Sequence, residues 1–286
     1  MPMDKPNPVI NVDELGDRIA RGNCRVVDCR FDLADPEKGR ALFEESHIDA
    51  AVFADLDKDL AGPVTSESGR HPLPDTEEFC HKLGSWGISN STHVVAYDHG
   101  NGATAGRLWW LLRWLGHDKV SVLDGGYAAW AAAGGAVSNS PPQIEPAQFT
   151  GKPDSSMVAT TEEILALVQS GERFNLVDAR DTARFRGDVE PIDPVAGRIP
   201  GSINMPFPVN LDDDGRWRPA GELRGQWREL LQDRPDMTPV VMCGSGVTAC
   251  HLVIAADMAE IALPRLYVGS WSEWIRDPNR PVETGK

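Results

Sequence analysis

Cys243 stands where chemistry would be done. The stretch PVVMCGSGVTACHLVIAADM, Pro239 to Met258, ends an apolar run on this thiol. Gly244, Ser245, Gly246, Val247 and Thr248 follow, and then an apolar helical pattern opens. Glycines at 244 and 246 let the backbone curl without Cβ clashes. Consecutive N–H groups of such a loop converge, and the next helix adds its positive end. That field favours thiolate over thiol; at comparable sites the cysteine pKa falls from about 8.5 to between roughly 3.5 and 7.5. The same donors would stabilise a persulfide, an anion one sulfur longer, as a nucleophile that accepts a group and passes it on requires. The alternative is a buried cysteine in a tight turn. The coincidence of strand end, glycines and helix start favours the reactive reading.

The elements that must hold this loop occur twice. HVVAYDHGNGATAGRLWWLLRW, His93 to Trp114, has the same plan without a cysteine. Asp28 recurs as Asp178, 150 positions on; Ile48 as Ile199 at 151; Thr104 as Thr248 and Trp130 as Trp274, both at 144. Steady offsets in one order indicate a duplicated domain. Short β-branched runs (Val26–Asp28, Val94–Tyr97, Val120–Leu123; Leu176–Asp178, Val240–Met242, Leu266–Val268) alternate with amphipathic helical patterns. DELGDRIARG and TEEILALVQSG open on acidic residues and close on glycine, as capped helices do. The fold class is therefore α/β, with βαβ units and a mainly parallel sheet flanked by helices in each half. The expected division is residues 1–137 for the first domain, a proline-rich, polar linker over 138–156, and 157–286 for the second.

Composition narrows the function. The chain has 286 residues, 41% hydrophobic and 25% charged, with a formal net charge of −15. That excess of acid argues against nucleic acid or an anionic membrane as partner. An anionic substrate must be held by a local pocket of arginine and backbone N–H groups. Asp4 and Lys5 fall where a signal peptide needs an apolar core, and LWWLLRWLG is too short to span a bilayer, so a cytoplasmic protein is expected. The five cysteines are scattered and form no C-x-x-C pair, so neither a zinc site nor a disulfide framework is expected. Most should be reduced and buried.

CGSGVTAC, the tandem plan, HIDAA with RIPGS, and GSWSEW together resemble the rhodanese-type sulfurtransferases, specifically the two-domain thiosulfate/3-mercaptopyruvate group. The resemblance spans nearly the whole chain. It implies two rhodanese-like domains, the second catalytic and the first carrying a disabled loop. A shift of 144 places His99 opposite Cys243, in a polar loop tip that helps wall the cleft. It also implies a sulfane sulfur carried on Cys243 from 3-mercaptopyruvate or thiosulfate to cyanide, a small thiol or a thioredoxin-like protein, with no metal or organic cofactor. Neutral Gly244 and Ser245 after the cysteine resemble the mercaptopyruvate branch; thiosulfate users tend to have two basic residues there.

By the same resemblance, Arg184 in RFRG holds the donor carboxylate together with the loop residues Gly244, Gly246, Val247 and Thr248. The planar guanidinium fork matches a carboxylate. The branch usually has a second arginine in an EPR segment, where this chain has Ile192; Arg198 in GRIPG offers a replacement charge or is simply a surface residue. Arg186 is nearby, as a solvated or packing arginine. Asp57, His71 and Ser245 match an Asp–His–Ser proton relay. Cys250 faces the core from the helix.

Two rivals remain to be weighed. A cysteine phosphatase or arsenate reductase needs an arginine six positions after the nucleophile, and Ala249 occupies that position. A sulfur-relay or binding protein without free turnover is the rival of another class; the retained thiol and loop disfavour a purely structural role.

Overall fold

The computed structural model describes residues 6–172, 174–233 and 235–285. Two compact units emerge. The first comprises the described residues up to Gly62, Pro74–Asp154 and Asp213–Trp217. The second comprises Pro63–Leu73, Ser155–Asp212 and the described residues from Arg218 onward. Each unit therefore includes a short segment from the opposite half of the sequence. Pro63–Leu73 matters most, because it contributes two side chains to the second unit's site.

The strands are β1 Val9–Ile10, β2 Cys24–Asp28, β3 His47–Ile48, β4 Val52–Phe53, β5 His93–Tyr97, β6 Val120–Leu123, β7 Val137–Ser138, β8 Val158–Ala159, β9 Leu176–Asp178, β10 Ile203–Asn204, β11 Val240–Met242 and β12 Arg265–Tyr267. In the first unit the five-stranded sheet runs β1-β6-β5-β2-β4; in the second it runs β8-β12-β11-β9-β10. All pairings in both sheets are parallel. The orders are one topology written twice. A small antiparallel pair, β3 with β7, is added in the first unit.

Local sequence sets these elements. Asn11 and Thr160 each close a capping box on the glutamate three residues on, starting helices Val12–Ala20 and Thr161–Ser170. Gly171 ends the latter in the left-handed conformation. All five residues of β5 and all three of β11 are buried, as strands covered on both faces require. Trp130 and Trp274, the repeated tryptophans, each lie in the core of their unit. Trp110 and Trp114 stack one helical turn apart, with ring centroids 6.1 Å apart.

The duplication extends to a buried ion pair beyond the second strand of each unit. Asp28 accepts Nε of Arg30 at 2.9 Å and Nη2 at 2.6 Å, and Arg30 Nη2 also reaches the carbonyl of Ser46. Asp178 accepts Nε of Arg180 at 3.0 Å and Nη2 at 2.7 Å, and Arg180 Nη2 reaches the carbonyl of Gly197. Charges this deeply buried persist because each is both paired and hydrogen-bonded.

The proline-rich stretch after β7 is packed rather than loose. Phe149 is buried, the N–H of Ala147 donates to the carbonyl of Gly84, and that of Asp154 donates to the carbonyl of Trp114. Up to Asp154 it belongs to the first unit. No helix among the described residues is long and apolar enough to cross a membrane.

Candidate active site

Cys243 is the first residue beyond β11, buried, and fixed by its neighbours on the 267–272 segment. Its N–H donates to Oγ of Ser270 at 3.1 Å, and that hydroxyl donates to the carbonyl of Tyr267 at 2.8 Å. The carbonyls of Cys243 and Gly244 accept the N–H groups of Trp271 and Ser272. With its carbonyls pinned, the loop is left with donors. Among the described residues, no hydrogen-bond partner takes the backbone N–H of Gly244, Ser245, Val247 or Thr248. Helix Ala249–Met258 begins immediately after them. Buried unpaired amides are costly and form a receptor for negative charge.

The two glycines have different reasons. Gly246 has φ of +74°, and a Cβ there would lie 2.3 Å from the carbonyl oxygen of Val268. Gly244 has no such backbone demand. A Cβ on it would stand 2.9 Å from Nη2 of Arg70 and 3.7 Å from both Nη atoms of Arg184. The missing side chain lets two guanidinium groups come close to the cysteine loop.

The first unit carries the same loop in a closed state. Asp28 pairs with Tyr97 across its sheet, and Asp178 pairs with Met242 across the other. The residue after Tyr97 is Asp98, so Asp98, and not His99, is the structural counterpart of Cys243. The constant offset of 144 misassigns it because the first loop is one residue longer. Asp98 is buried, while His99 is exposed. The Asp98 carboxylate accepts the N–H groups of Gly100, Gly102 and Thr104 at 3.0 Å each and that of Ala105 at 3.3 Å, plus the hydroxyl of Thr104 at 3.2 Å. This loop is a receptor for an anion, and here the anion is built in.

Around the cysteine loop runs a chain of alternating charge. Beyond the Asp178–Arg180 pair, Nη1 of Arg180 is 3.5 Å from Glu190. Glu190 accepts Nε and Nη2 of Arg184, the latter at 2.7 Å. Arg184 Nη2 also donates to Asp193 at 3.1 Å, and the other oxygen of Asp193 pairs with Arg70. Burial pushes the Glu190 carboxyl up, but Arg184 and the N–H groups of Asp193 and Ile192 outweigh it and hold it below its ordinary value. At Asp193 burial wins over Arg70 and Arg184, and the carboxyl is held above its ordinary value.

Segment Pro63–Leu73 is tied to the 269–276 region by three bonds. The N–H of Gly69 donates to Glu273, that of Arg70 to Oγ of Ser272, and Nε of Arg276 to the carbonyl of Ser68. It thereby brings His71 to the loop. Nδ1 of buried His71 and Oγ of buried Ser245 share a 2.7 Å hydrogen bond. These two residues are 174 positions apart in sequence.

Both halves match the family model described as the rhodanese-like domain, over residues 11–133 and 160–277. The chain belongs to the rhodanese family. Among curated relatives, a probable 3-mercaptopyruvate sulfurtransferase of Pseudomonas aeruginosa is 49% identical, covering 97% of this chain and 98% of its own. A thiosulfate sulfurtransferase of Cricetulus griseus is 37% identical, covering 92% and 89% respectively. Among solved structures, a 3-mercaptopyruvate sulfurtransferase from Leishmania major matches with a TM-score of 0.81 and 32% identity, over 93% of this chain and 73% of that one.

Against this rhodanese framework the remaining expected residues can be placed. Arg184 reaches the loop, as above. Arg198 does not serve it. Its Nη2 pairs with Glu283, its Nη1 donates to the carbonyl of Gly285, and its guanidinium lies 4.8 Å over the Phe185 ring. The expectation of a replacement charge from Arg198 is therefore corrected. The 283–285 segment claims that side chain, through an antiparallel bridge between Arg198 and Glu283. Arg186 and Ile192 are exposed. Asp57 belongs to the first unit, in the turn after β4, where its N–H donates to Asp55. Partial desolvation and the Asp55 charge raise its carboxyl pKa.

Sequence reasoning missed Arg70, Asp193 and Ser270. Ser270 had a signal in the repeat: it matches Gly126, and both have left-handed backbones, at φ of +53° and +52°. Arg70 and Asp193 had none, because only the chain path brings 70, 184, 193 and 244 together. Cys250 is buried, with Sγ 3.4 Å from the carbonyl of Gly246. Cys29 is buried too, whereas Cys24 and Cys80 are partly exposed; none of the five is in a disulfide.

Proposed function

We propose that this rhodanese-family protein is a sulfurtransferase that carries a sulfane sulfur from 3-mercaptopyruvate, through a persulfide on Cys243, to cyanide, a small thiol or a thioredoxin-like protein. One observation carries the reading: a buried cysteine at a strand end is followed by loop amides with no partner among the described residues, where the sister loop seats a carboxylate on the same kind of amides. A thiolate, and the persulfide that replaces it, would take that place.

In the first half-reaction the Cys243 thiolate attacks the donor sulfur. The S–S bond forms, the C–S bond breaks, and the electron pair departs on carbon as the enolate of pyruvate. That enolate takes a proton and leaves as pyruvate. Ser245 and His71, hydrogen-bonded to each other beside the cysteine, are suited to deliver it. Asp57 is proposed as the third relay member on the family resemblance alone. In the second half-reaction the acceptor attacks the outer sulfur and Cys243 leaves again as thiolate. Gly244, Gly246, Val247 and Thr248 supply the loop that wraps the sulfur, and Arg184, with Nη1 unpaired among the described residues, binds the donor carboxylate.

Thiosulfate is the second donor to weigh, because its sulfite leaving group needs no proton. A His–Ser pair at the nucleophile would then be idle, which favours mercaptopyruvate. The soluble compartment in which this takes place is proposed to be the cytoplasm.

The test is direct. Purified protein is incubated with each donor and its intact mass measured, with turnover followed in parallel. One added sulfur atom is expected, lost on adding cyanide, and none in Cys243→Ser. Turnover surviving in Cys243→Ser would end this reading, and faster turnover on thiosulfate would reassign the donor.

A further inference from the structure

The segment 189–194 is turned inside out. Its two carboxylates face the protein: Glu190 pairs with Arg184, and Asp193 with Arg184 and Arg70, each carboxylate side chain only 4% exposed. Its apolar residues face solvent: Val189 is 52% and Ile192 43% exposed, and Pro191 and Pro194 are exposed beside them. An ordinary surface segment has the opposite pattern. The inversion is fixed by the backbone. One oxygen of Glu190, Oε1, accepts the N–H groups of Ile192 and Asp193 at 3.1 Å each, and the two prolines restrict φ on either side. The apolar side chains therefore stand on a turn that needs no further ordering, which lowers the cost of association.

A second segment shares this property. Asp193 is joined through Arg70 to Pro63–Leu73, which carries Val64, 57% exposed. Among the described residues eight large apolar side chains are exposed; three of them, Val64, Val189 and Ile192, lie on these two short segments. The Pro63–Leu73 segment also borders the cysteine loop, with Arg70 beside Gly244 and His71 bonded to Ser245. Apolar side chains scattered over a surface need no explanation, but their concentration on the elements around one loop marks an interaction surface.

The chemistry of Cys243 decides what that surface meets. The thiol is 2% exposed, so a macromolecular acceptor collects sulfur from it only by docking beside the loop and inserting its own thiol. Cyanide needs no such surface. The arginines here are matched by carboxylates, so the surface selects for apolar contact rather than for charge.

We propose that Val64, Val189 and Ile192 form the docking surface for a protein acceptor whose reactive cysteine is set in an apolar face, a dithiol protein of the thioredoxin kind. The inference rests on the reading of Cys243 as sulfur carrier and adds where the acceptor binds. The acceptor thiolate attacks the outer sulfur of the Cys243 persulfide; the new S–S bond forms, the old one breaks, and the electron pair leaves on Cys243 as thiolate. A second thiol of the acceptor then attacks its persulfidated cysteine, closing a disulfide and releasing hydrosulfide, which takes that thiol's proton.

The experiment loads Cys243 with sulfur from 3-mercaptopyruvate, adds reduced thioredoxin or cyanide at rising concentration, and follows loss of the added sulfur by intact mass. Wild type is compared with the triple variant Val64→Ser, Val189→Ser, Ile192→Ser, and with Met237→Ser, a change at an exposed apolar residue outside the two segments. Thermal melts check folding. The triple variant is expected to need about tenfold more thioredoxin for half-maximal rate, the effect of removing apolar area from a contact, with cyanide within twofold of wild type. Met237→Ser should match wild type on both acceptors. A triple variant that matches wild type on thioredoxin overturns the proposal, as does an equal loss on cyanide, which would place the damage at the cysteine loop. A wild-type dimer in sedimentation that the triple variant dissolves assigns the surface to a second copy of the chain and overturns it too. Wild type that loads sulfur but passes none to thioredoxin removes this inference and leaves the sulfur-carrier reading standing; wild type that loads none removes both.

Discussion

Asp98 holds in the first unit the place Cys243 holds in the second. Each directly follows its sheet's central strand, and each heads a glycine-containing loop that leads into a helix. The carboxylate satisfies four loop amides by itself, and the cysteine loop keeps four amides without partners among the described residues. One backbone design therefore serves two purposes. With its own anion built in, the loop is a structural plug; with a thiol at its head, those donors stay open among the described residues.

The plug can be tested by stability. Asp98→Ala removes the acceptor from four backbone donors in a buried loop and is expected to cost about 3 kcal/mol or more, while Asp98→Asn, which keeps one acceptor oxygen, costs about half as much. Urea denaturation followed by tryptophan fluorescence measures both. Equal midpoints for Asp98→Ala and wild type would show that the loop does not need its carboxylate.

The proton route separates the two donors. His71→Ala and Ser245→Ala are each expected to slow mercaptopyruvate turnover by roughly a hundredfold, the scale of a lost general acid. Thiosulfate turnover, which expels sulfite without a proton, should fall far less. Asp57→Asn tests the third relay member in the same assay. Parallel losses on both donors would assign His71 and Ser245 a structural part instead.

Acid stability should depend on His93. Its Nε2 is 3.2 Å from Oγ of Ser121, whose hydroxyl donates to the carbonyl of Asn7, so Nε2 carries a proton and donates it to Ser121. Burial first, then the charges of Arg18, His117 and Lys119, lower its pKa from 6.5 to about 4. The unfolded chain takes up this proton near 6.5, and the folded chain only near 4. Stability is thus fully present above pH 6.5 and falls as pH drops toward 4, by on the order of 2 kcal/mol after allowing for solvent screening. His117 is shifted in the same direction by burial and adds to the slope. His93→Gln should flatten part of the profile between these pH values; an unchanged profile would contradict the assignment.

Arg198 should matter for folding and not for the donor. Arg198→Met breaks the ties to Glu283 and the Gly285 carbonyl and is expected to cost roughly 1–3 kcal/mol. KM for mercaptopyruvate should stay within twofold of wild type. A tenfold rise would return Arg198 to the donor site.

Much of this protein was legible in its residues because the signals are local. Strand runs, capping boxes at Asn11 and Thr160, and the glycines after Cys243 each act over a few positions, and repetition at nearly constant spacing doubles every signal. The nucleophile and its loop are contiguous, so they could be read together. What only tertiary structure decided depends on chain paths. Sheet register, not an offset, made Asp98 the counterpart of Cys243, because a one-residue insertion in a loop is invisible to a constant shift. Burial and pairing removed Arg198 from the site, and Pro63–Leu73 brought Arg70 and His71 to a loop more than 170 residues away. Spacing along the chain determines which backbone N–H groups a loop can expose. Which charged side chains reach them depends on packing between segments that share no sequence pattern.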